Sequence, residues 1–154
     1  MATIIQSPEK IRSISTYENV KLYIGGDIDN ESSWQDYVIS ELRDVEGLSI
    51  FNPRPKKDCY HKEEQLIWEF DKLEQSNVIL FWISSNSDNI LTLYNMGVWL
   101  VSDIPIIVGI DPKYKMREAL EMSLRLHKPG MIVYDNLGDM IETIKNNIVS
   151  INDL

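Results

Sequence analysis

Residues 78–83 read Val78-Ile-Leu-Phe-Trp-Ile83 and contain no polar side chain. A strand that is apolar along its whole length is typical of the centre of a parallel sheet, because helices cover both faces of such a sheet. The next segment, 84–89 (SSNSDN), is small and polar, and it suits the start of a helix that we predict over about 90–101. The stretch therefore predicts a strand, a turn and a helix of an α/β protein.

Further apolar runs alternate with helical patterns on both sides of this unit. The order strand, helix, strand, helix indicates parallel strands joined by right-handed crossovers. We predict an α/β three-layer sandwich of flavodoxin-like or Rossmann-like type, with a five-stranded parallel sheet and helices on both faces. The predicted strands are 20–26, 48–51, 78–83, 104–110 and 131–134, and the predicted helices run from Ser32 or Ser33 to about 44, and over about 63–76, 90–101, 114–126 and 137–148.

Length and composition fit one compact domain over residues 1–154. The chain has 154 residues and 44% hydrophobic content, which is enough for one buried core and too little for a second domain. Residues 1–19 are ambiguous, and Thr3–Gln6 is predicted to form either an added edge strand or an arm that contacts a neighbouring subunit.

Charge and cysteine content limit the partners that we expect. Lys and Arg total 15 against 24 Asp and Glu, and the net charge of -9 would repel nucleic acid polymers and anionic membranes. No apolar run approaches the roughly 18 to 20 residues of a membrane span, so we expect a soluble, cytoplasmic protein. Cys59 is the single cysteine, and His61 and His127 are far apart in sequence, so we expect no disulfide, no metal site and no cofactor.

Ligands of open parallel sheets bind beside the carboxyl ends of the strands. That rule brings together the segments 25–29, 52–54 and 84–88 and the loop after Gly109, which are far apart in sequence. The candidate binding residues in these segments are Gly25, Gly26, Asp27, Asn52, Arg54, Ser84 and Asp88.

Several candidates have an ordinary structural explanation as well. Gly25 and Gly26 either let a ligand approach the backbone or form a tight turn. They are not a dinucleotide-binding fingerprint, because the third glycine of that motif is missing. Arg54 pairs either with a ligand phosphate or carboxylate or with one of the many acids. Gln65 and Glu69 share a helix face, which either hydrogen-bonds a nucleobase or is solvated.

The helix after the central strand carries the segment Thr92-Leu-Tyr-Asn-Met-Gly97. Its polar residue, Asn95, has no titratable proton near neutrality and is a very weak nucleophile, but it can hydrogen-bond a sugar hydroxyl. Asp88, at the start of the same helix, is an acid that can act as a nucleophile or as a base.

Taken in order, five motifs resemble the nucleoside 2-deoxyribosyltransferase superfamily, and most closely its branch of short bacterial and phage members. The resemblance covers about residues 20–145 and implies cleavage of the N-glycosidic bond of a deoxynucleoside or its monophosphate, with transfer of the sugar to another base or to water. In that family a Glu nucleophile forms a covalent intermediate. The motifs are Tyr23-x-Gly-Gly26, Asn52-Pro-Arg54, Gln65-x-x-Trp-Glu69, the strand ending in Phe81-Trp-Ile83, and Thr92-Leu-Tyr-Asn-Met-Gly97.

The resemblance implies roles for individual residues. Tyr23 matches a Tyr that positions the nucleophile, and Glu69 matches an acid that contacts the leaving base and can assist its protonation. Asn89 lies near the position of a family Asp that contacts the base, and a shift of one residue would place Asp88 there instead. Asn95 occupies the position of the family's nucleophilic Glu. Because Asn closes the covalent route, the chain is predicted to be either an enzyme that uses another acid, such as Asp88, or an inactive nucleotide-binding protein, natural or engineered.

Members of this family are usually homo-oligomers in which a neighbour completes the site. The resemblance therefore implies a homo-oligomer that binds a small nucleoside or nucleotide. The apolar final helix and the N-terminal arm are the predicted contact surfaces.

Overall fold

The computed structural model describes residues 1–10, 19–28 and 33–152. Asp29 of the candidate binding segment and the alternative helix cap Ser32 lie outside these residues. The elements in the described ranges are β1 (Thr3–Gln6), β2 (Val20–Gly26), α1 (Trp34–Leu42), β3 (Leu48–Asn52), α2 (Lys62–Gln75), β4 (Val78–Ile83), α3 (Ile90–Leu100), β5 (Ile106–Ile110), α4 (Arg117–His127), β6 (Val133–Tyr134) and α5 (Leu137–Asn152).

The sheet confirms the α/β sandwich with one correction, because it has six strands and not five. Its order is β1-β3-β2-β4-β5-β6, and every neighbouring pair is parallel. The additional strand is β1, which pairs with β3 from Thr3 opposite Ser49 to Gln6 opposite Asn52. Thr3–Gln6 is therefore an edge strand of its own sheet, which is one of the two alternatives that the sequence left open. The sequence pattern did not decide between them because only Ile5 of the four side chains is buried.

The central position of β4 follows from its side chains. Leu80 and Trp82 pack into a hydrophobic cluster with α1 and α5 on one face of the sheet. Ile79, Phe81 and Ile83 pack into a second cluster with α2, α3 and α4 on the opposite face. Both faces of β4 are thus buried, as its apolar sequence predicted.

The final helix, α5, contributes its apolar side chains to the protein's own core. Met140, Ile141, Ile144 and Ile148 are all nearly inaccessible and contact the side of the sheet that α1 also covers. These four side chains pack within one chain, and a subunit contact through the rest of α5 stays a prediction. None of the helices in the described ranges combines the length and apolar character that crossing a membrane requires.

Candidate functional site

A cavity of about 330 Å³ opens at the carboxyl ends of β2 and β4, between the helices α2 and α3. Its volume is within the range of small-molecule sites, which is roughly 300 to 1,000 Å³. The cavity brings together most of the residues selected from the sequence. Those that line it are Tyr23, Gly25, Gly26, Asp27, Gln65, Glu69, Asp88, Asn89 and Asn95.

Tyr23 and Glu69 form the central polar pair of the cavity. The Tyr23 hydroxyl donates a hydrogen bond to the Glu69 carboxylate, with 3.3 Å between the two oxygens. Tyr23 is 1% exposed. Burial, followed by the negative charge of Glu69 and the hydrogen bond to it, raises the pKa of Tyr23 well above its usual value. The hydroxyl therefore stays protonated and orients one oxygen of the carboxylate.

The raised pKa of Tyr23 has a consequence for stability in alkali. The pKa of Tyr23 is near 10.0 in the unfolded chain and higher in the folded protein. The stabilisation linked to the neutral hydroxyl is therefore complete below about pH 10 and is lost as the pH rises through the folded-state pKa. We expect the free energy of unfolding of Tyr23→Phe to fall less steeply above about pH 10 than that of the unsubstituted protein.

Urea unfolding at a series of alkaline pH values measures this slope. Tyr37→Phe is the control, because Tyr37 is exposed on α1 and its removal should leave the slope unchanged. Equal slopes for Tyr23→Phe and the unsubstituted protein would contradict the assignment of a buried, neutral Tyr23.

The loop after β4 is held by its own side chains. Asn89 adopts a left-handed backbone conformation with φ of 56°, and its Nδ2 donates to the carbonyls of Ser84 and Ser87 at 2.9 Å each. Its Oδ1 is buried and accepts no hydrogen bond from the described residues. Asp88 is exposed, and its Oδ1 accepts from the backbone N–H of Ile90 at 3.1 Å. This carboxylate therefore accepts the first backbone N–H of α3 from the position before the N-cap residue, Asn89, whose own side chain makes no capping bond.

Gln65 lines the cavity but is already engaged by two distant segments. Its Oε1 accepts from the Ser7 hydroxyl at 2.6 Å, and its Nε2 donates to the Pro53 carbonyl, also at 2.6 Å. Gln65 is 4% exposed, so these bonds tie α2 to the chain after β1 and to the loop after β3. Contact of Gln65 with a nucleobase stays a prediction.

Three candidates from the sequence lie outside the cavity lining, and their ligand contacts stay predictions. Asn52 is buried at the end of β3, where its Oδ1 accepts from the backbone N–H of Arg54. The Arg54 guanidinium donates through Nε to the Gln35 side chain on α1 at 3.2 Å. Ser84 is buried directly after β4. In the loop after Gly109, Asp111 accepts a hydrogen bond from Ser85 and is likewise absent from the lining.

The glycine pair at the end of β2 is explained by packing against aromatic rings. A Cβ on Gly25 would lie 2.8 Å from the Phe81 ring, and one on Gly26 would lie 2.5 Å from the Trp34 ring. Both distances are shorter than side chains tolerate, so any larger residue would displace a ring. These glycines thus allow close packing of the protein's own rings, and because both also line the cavity, their contact with a ligand stays a prediction.

The cavity also contains apolar residues that sequence reasoning missed. Phe81 was assigned to the core because its strand is uniformly apolar, yet its ring also borders the cavity. Tyr60 lies in the loop before α2 and is 54% exposed. An aromatic residue in a polar loop was the sequence feature that could have indicated a ligand contact. Leu66 and Leu91 approach from α2 and α3, and both are exposed.

A family model described as nucleoside 2-deoxyribosyltransferase like matches residues 19–114, which is more than half of the chain. The chain belongs to the nucleoside 2-deoxyribosyltransferase-like family. The matched range contains β2 to β5 and every residue that lines the cavity. No curated protein matches the chain.

Two features of the site in this nucleoside 2-deoxyribosyltransferase-like protein bear on its chemistry. First, position 95 on α3 lines the cavity with the amide of Asn95. Second, the lining contains three carboxylates and, among the described residues, no Lys, Arg or His. The carboxylates are those of Asp27, Glu69 and Asp88. The formal charges of the described lining residues are therefore all negative.

Proposed function

We propose that this nucleoside 2-deoxyribosyltransferase-like protein binds a nucleoside in the cavity and hydrolyses its N-glycosidic bond. The observation that supports the proposal most is the Tyr23–Glu69 pair, a carboxylate oriented by a neutral hydroxyl inside a cavity of ligand size. Family membership supports the class of substrate. Because residue 95 is an amide, the reaction needs a carboxylate elsewhere in the cavity.

Glu69 is the best candidate for that carboxylate. Asp88 is exposed and one of its oxygens already accepts the backbone N–H of Ile90, whereas Glu69 is partly buried and accepts a hydrogen bond from Tyr23. A general base should be fixed within hydrogen-bonding reach of the proton that it removes, which favours the oriented group.

The proposed reaction uses water in place of an enzyme nucleophile. Glu69 accepts a proton from a water molecule as the water oxygen forms a bond to C1′ of the sugar. The bond between C1′ and the base breaks, and its electron pair leaves with the base nitrogen, which takes a proton from solvent. This route needs one basic carboxylate and no covalent intermediate. The Asn95 amide is available to hydrogen-bond a sugar hydroxyl.

The charge of the lining favours a nucleoside over its monophosphate. A phosphate would add about two negative charges to a cavity whose fixed charges are already negative. Like charges at close range raise the free energy of the complex, and the described lining residues include no cation to offset them. We therefore expect the 5′-monophosphate to have a kcat/KM at least about tenfold lower than its nucleoside, equivalent to about 1.4 kcal/mol.

The test is a panel of 2′-deoxynucleosides and their 5′-monophosphates, with free base measured by chromatography and binding by calorimetry. The proposal expects base release from at least one nucleoside and a slower reaction for its monophosphate. Faster cleavage of the monophosphates would overturn the assignment of an uncharged substrate. Absence of both binding and base release across the panel would refute a nucleoside site altogether.

A second candidate function is nucleoside binding without reaction, and Asn95 is the observation that favours it. An amide at the nucleophile position preserves hydrogen bonding to a sugar while removing covalent chemistry. This candidate gains support if calorimetry detects a nucleoside that the protein leaves intact.

A further inference from the structure

The cavity combines negative charge with aromatic surface. Its described lining residues carry three carboxylates, those of Asp27, Glu69 and Asp88, and include no Lys, Arg or His. The rings of Tyr60 and Phe81 border the same space. Carboxylates attract a cation directly, and aromatic rings attract one through the negative potential of their faces. The described lining therefore suits an aromatic ligand that carries a positive charge.

Asn89 indicates, independently of the charges, a ligand that donates hydrogen bonds. This residue lines the cavity, is 2% exposed, and donates through Nδ2 to the carbonyls of Ser84 and Ser87. Its Oδ1 is buried and has no hydrogen-bond partner among the described residues. An unpaired buried acceptor costs free energy, and a donor group on the ligand removes that cost. The N–H groups of a positively charged base are strong donors, because hydrogen bonds with an ionised partner are stronger than neutral ones.

The departure of the base favours the same kind of ligand. In the proposed hydrolysis Glu69 accepts a proton from the attacking water, so it cannot give a proton to the base in the same step. The Tyr23 hydroxyl donates to Glu69, and its raised pKa makes it a weak acid. Lys, Arg and His are absent from the described lining, which therefore provides no cationic acid for the base. A base that is already positively charged needs no acid, because it leaves as a neutral molecule.

We propose that the cavity selects nucleosides whose base carries a permanent positive charge, such as an N-alkylated purine or a pyridinium ring. This inference rests on the proposed function for the presence of a nucleoside in the cavity. The water oxygen forms a bond to C1′ while the bond from C1′ to the ring nitrogen of the base breaks. The electron pair of that bond goes to the nitrogen and neutralises the positive charge of the ring. Glu69 takes one proton of the water and then releases it to solvent, so no further reactant is needed.

A matched pair of nucleosides isolates the effect of the charge. The base of 7-methyl-2′-deoxyguanosine is positively charged at slightly acidic pH, and 7-deaza-7-methyl-2′-deoxyguanosine has nearly the same shape without the charge. Calorimetry measures the binding of both compounds, and chromatography measures release of the methylated base after subtraction of its spontaneous loss. We expect the charged nucleoside to bind at least about tenfold more tightly than the neutral analogue, because the carboxylates of the lining attract the charge.

Asp27→Asn tests whether the lining is the source of this preference, because it removes one negative charge and keeps the size of the side chain. We expect it to weaken binding of the charged nucleoside by about fivefold or more and to leave binding of the neutral analogue nearly unchanged. Asp103→Asn is the matched control, because Asp103 is exposed in the loop before β5 and does not line the cavity. Circular dichroism checks folding, and Asp88→Asn is the second variant if Asp27→Asn does not fold.

Equal binding of the two nucleosides, or tighter binding of the neutral analogue, overturns the proposal. Release of guanine from 2′-deoxyguanosine in the same assay would then leave the proposed hydrolysis standing. A preference that Asp27→Asn and Asp88→Asn both retain in full also overturns it, as does binding of neither compound. Preferred binding of the charged nucleoside without release of its base would support the selectivity and contradict the hydrolysis.

Discussion

Asn95→Glu is expected to convert the protein into a deoxyribosyltransferase. Incubated with a deoxynucleoside and a different free base, the variant should exchange the bases at least about 100-fold faster than the unsubstituted protein, because removal of a nucleophile elsewhere costs several orders of magnitude. The physical reason is that a carboxylate on α3, facing the same cavity as Glu69, can attack C1′ and hold the sugar as an ester. Chromatography measures the exchange.

Intact-protein mass spectrometry supplies a direct view of the intermediate. Asn95→Glu treated with a deoxynucleoside in the absence of an acceptor base should gain the mass of one deoxyribosyl group. Asn95→Gln is the matched control, because it has the length of Glu without the carboxylate, and it should show neither adduct nor exchange. An Asn95→Glu protein that folds and binds nucleoside yet forms no adduct would place the reacting carbon away from residue 95.

Glu69→Gln is expected to lower the kcat for nucleoside hydrolysis by about 10²- to 10⁴-fold, the usual contribution of a general base. The glutamine keeps an oxygen that can accept the Tyr23 hydrogen bond, so the cavity should keep its shape and its affinity for nucleoside. Steady-state kinetics and calorimetry together separate the lost reaction from retained binding.

The matched control for Glu69 lies on the same helix. Glu64 is an exposed acid of α2 that does not line the cavity, and Glu64→Gln should retain the rate of the unsubstituted protein. If Glu69→Gln remains within about threefold of that rate, Glu69 is not the base and Asp88 becomes the next acid to replace.

The fold could be predicted where sequence patterns reflect burial on both faces of an element. β4 has no polar residue, and both of its faces are covered. β1 could not be counted with confidence from its four residues, because Ile5 alone is fully buried and the strand forms only through pairing with β3, more than 40 residues away. Short edge strands depend on distant partners that local patterns do not reveal.

The site could be predicted as a location more readily than as a set of contacts. The carboxyl ends of β2 and β4 supply the cavity because parallel strands end at a common edge of the sheet. The contacts of Gln65 could not be predicted from the sequence. Its side-chain amide accepts a hydrogen bond from Ser7, 58 positions away, and donates one to the Pro53 carbonyl. Such partners are set by tertiary packing, which spacing along one helix does not determine.

The central claim is that the cavity hydrolyses the N-glycosidic bond of a nucleoside, and isotope labelling tests it most directly. The unsubstituted protein is incubated with a 2′-deoxynucleoside in ¹⁸O-labelled water, and the sugar is reduced at once to prevent later exchange at C1. The account predicts free base and an equal amount of deoxyribose that carries one ¹⁸O atom. Nucleoside that is bound by the protein but recovered intact, with neither free base nor labelled sugar, would contradict it.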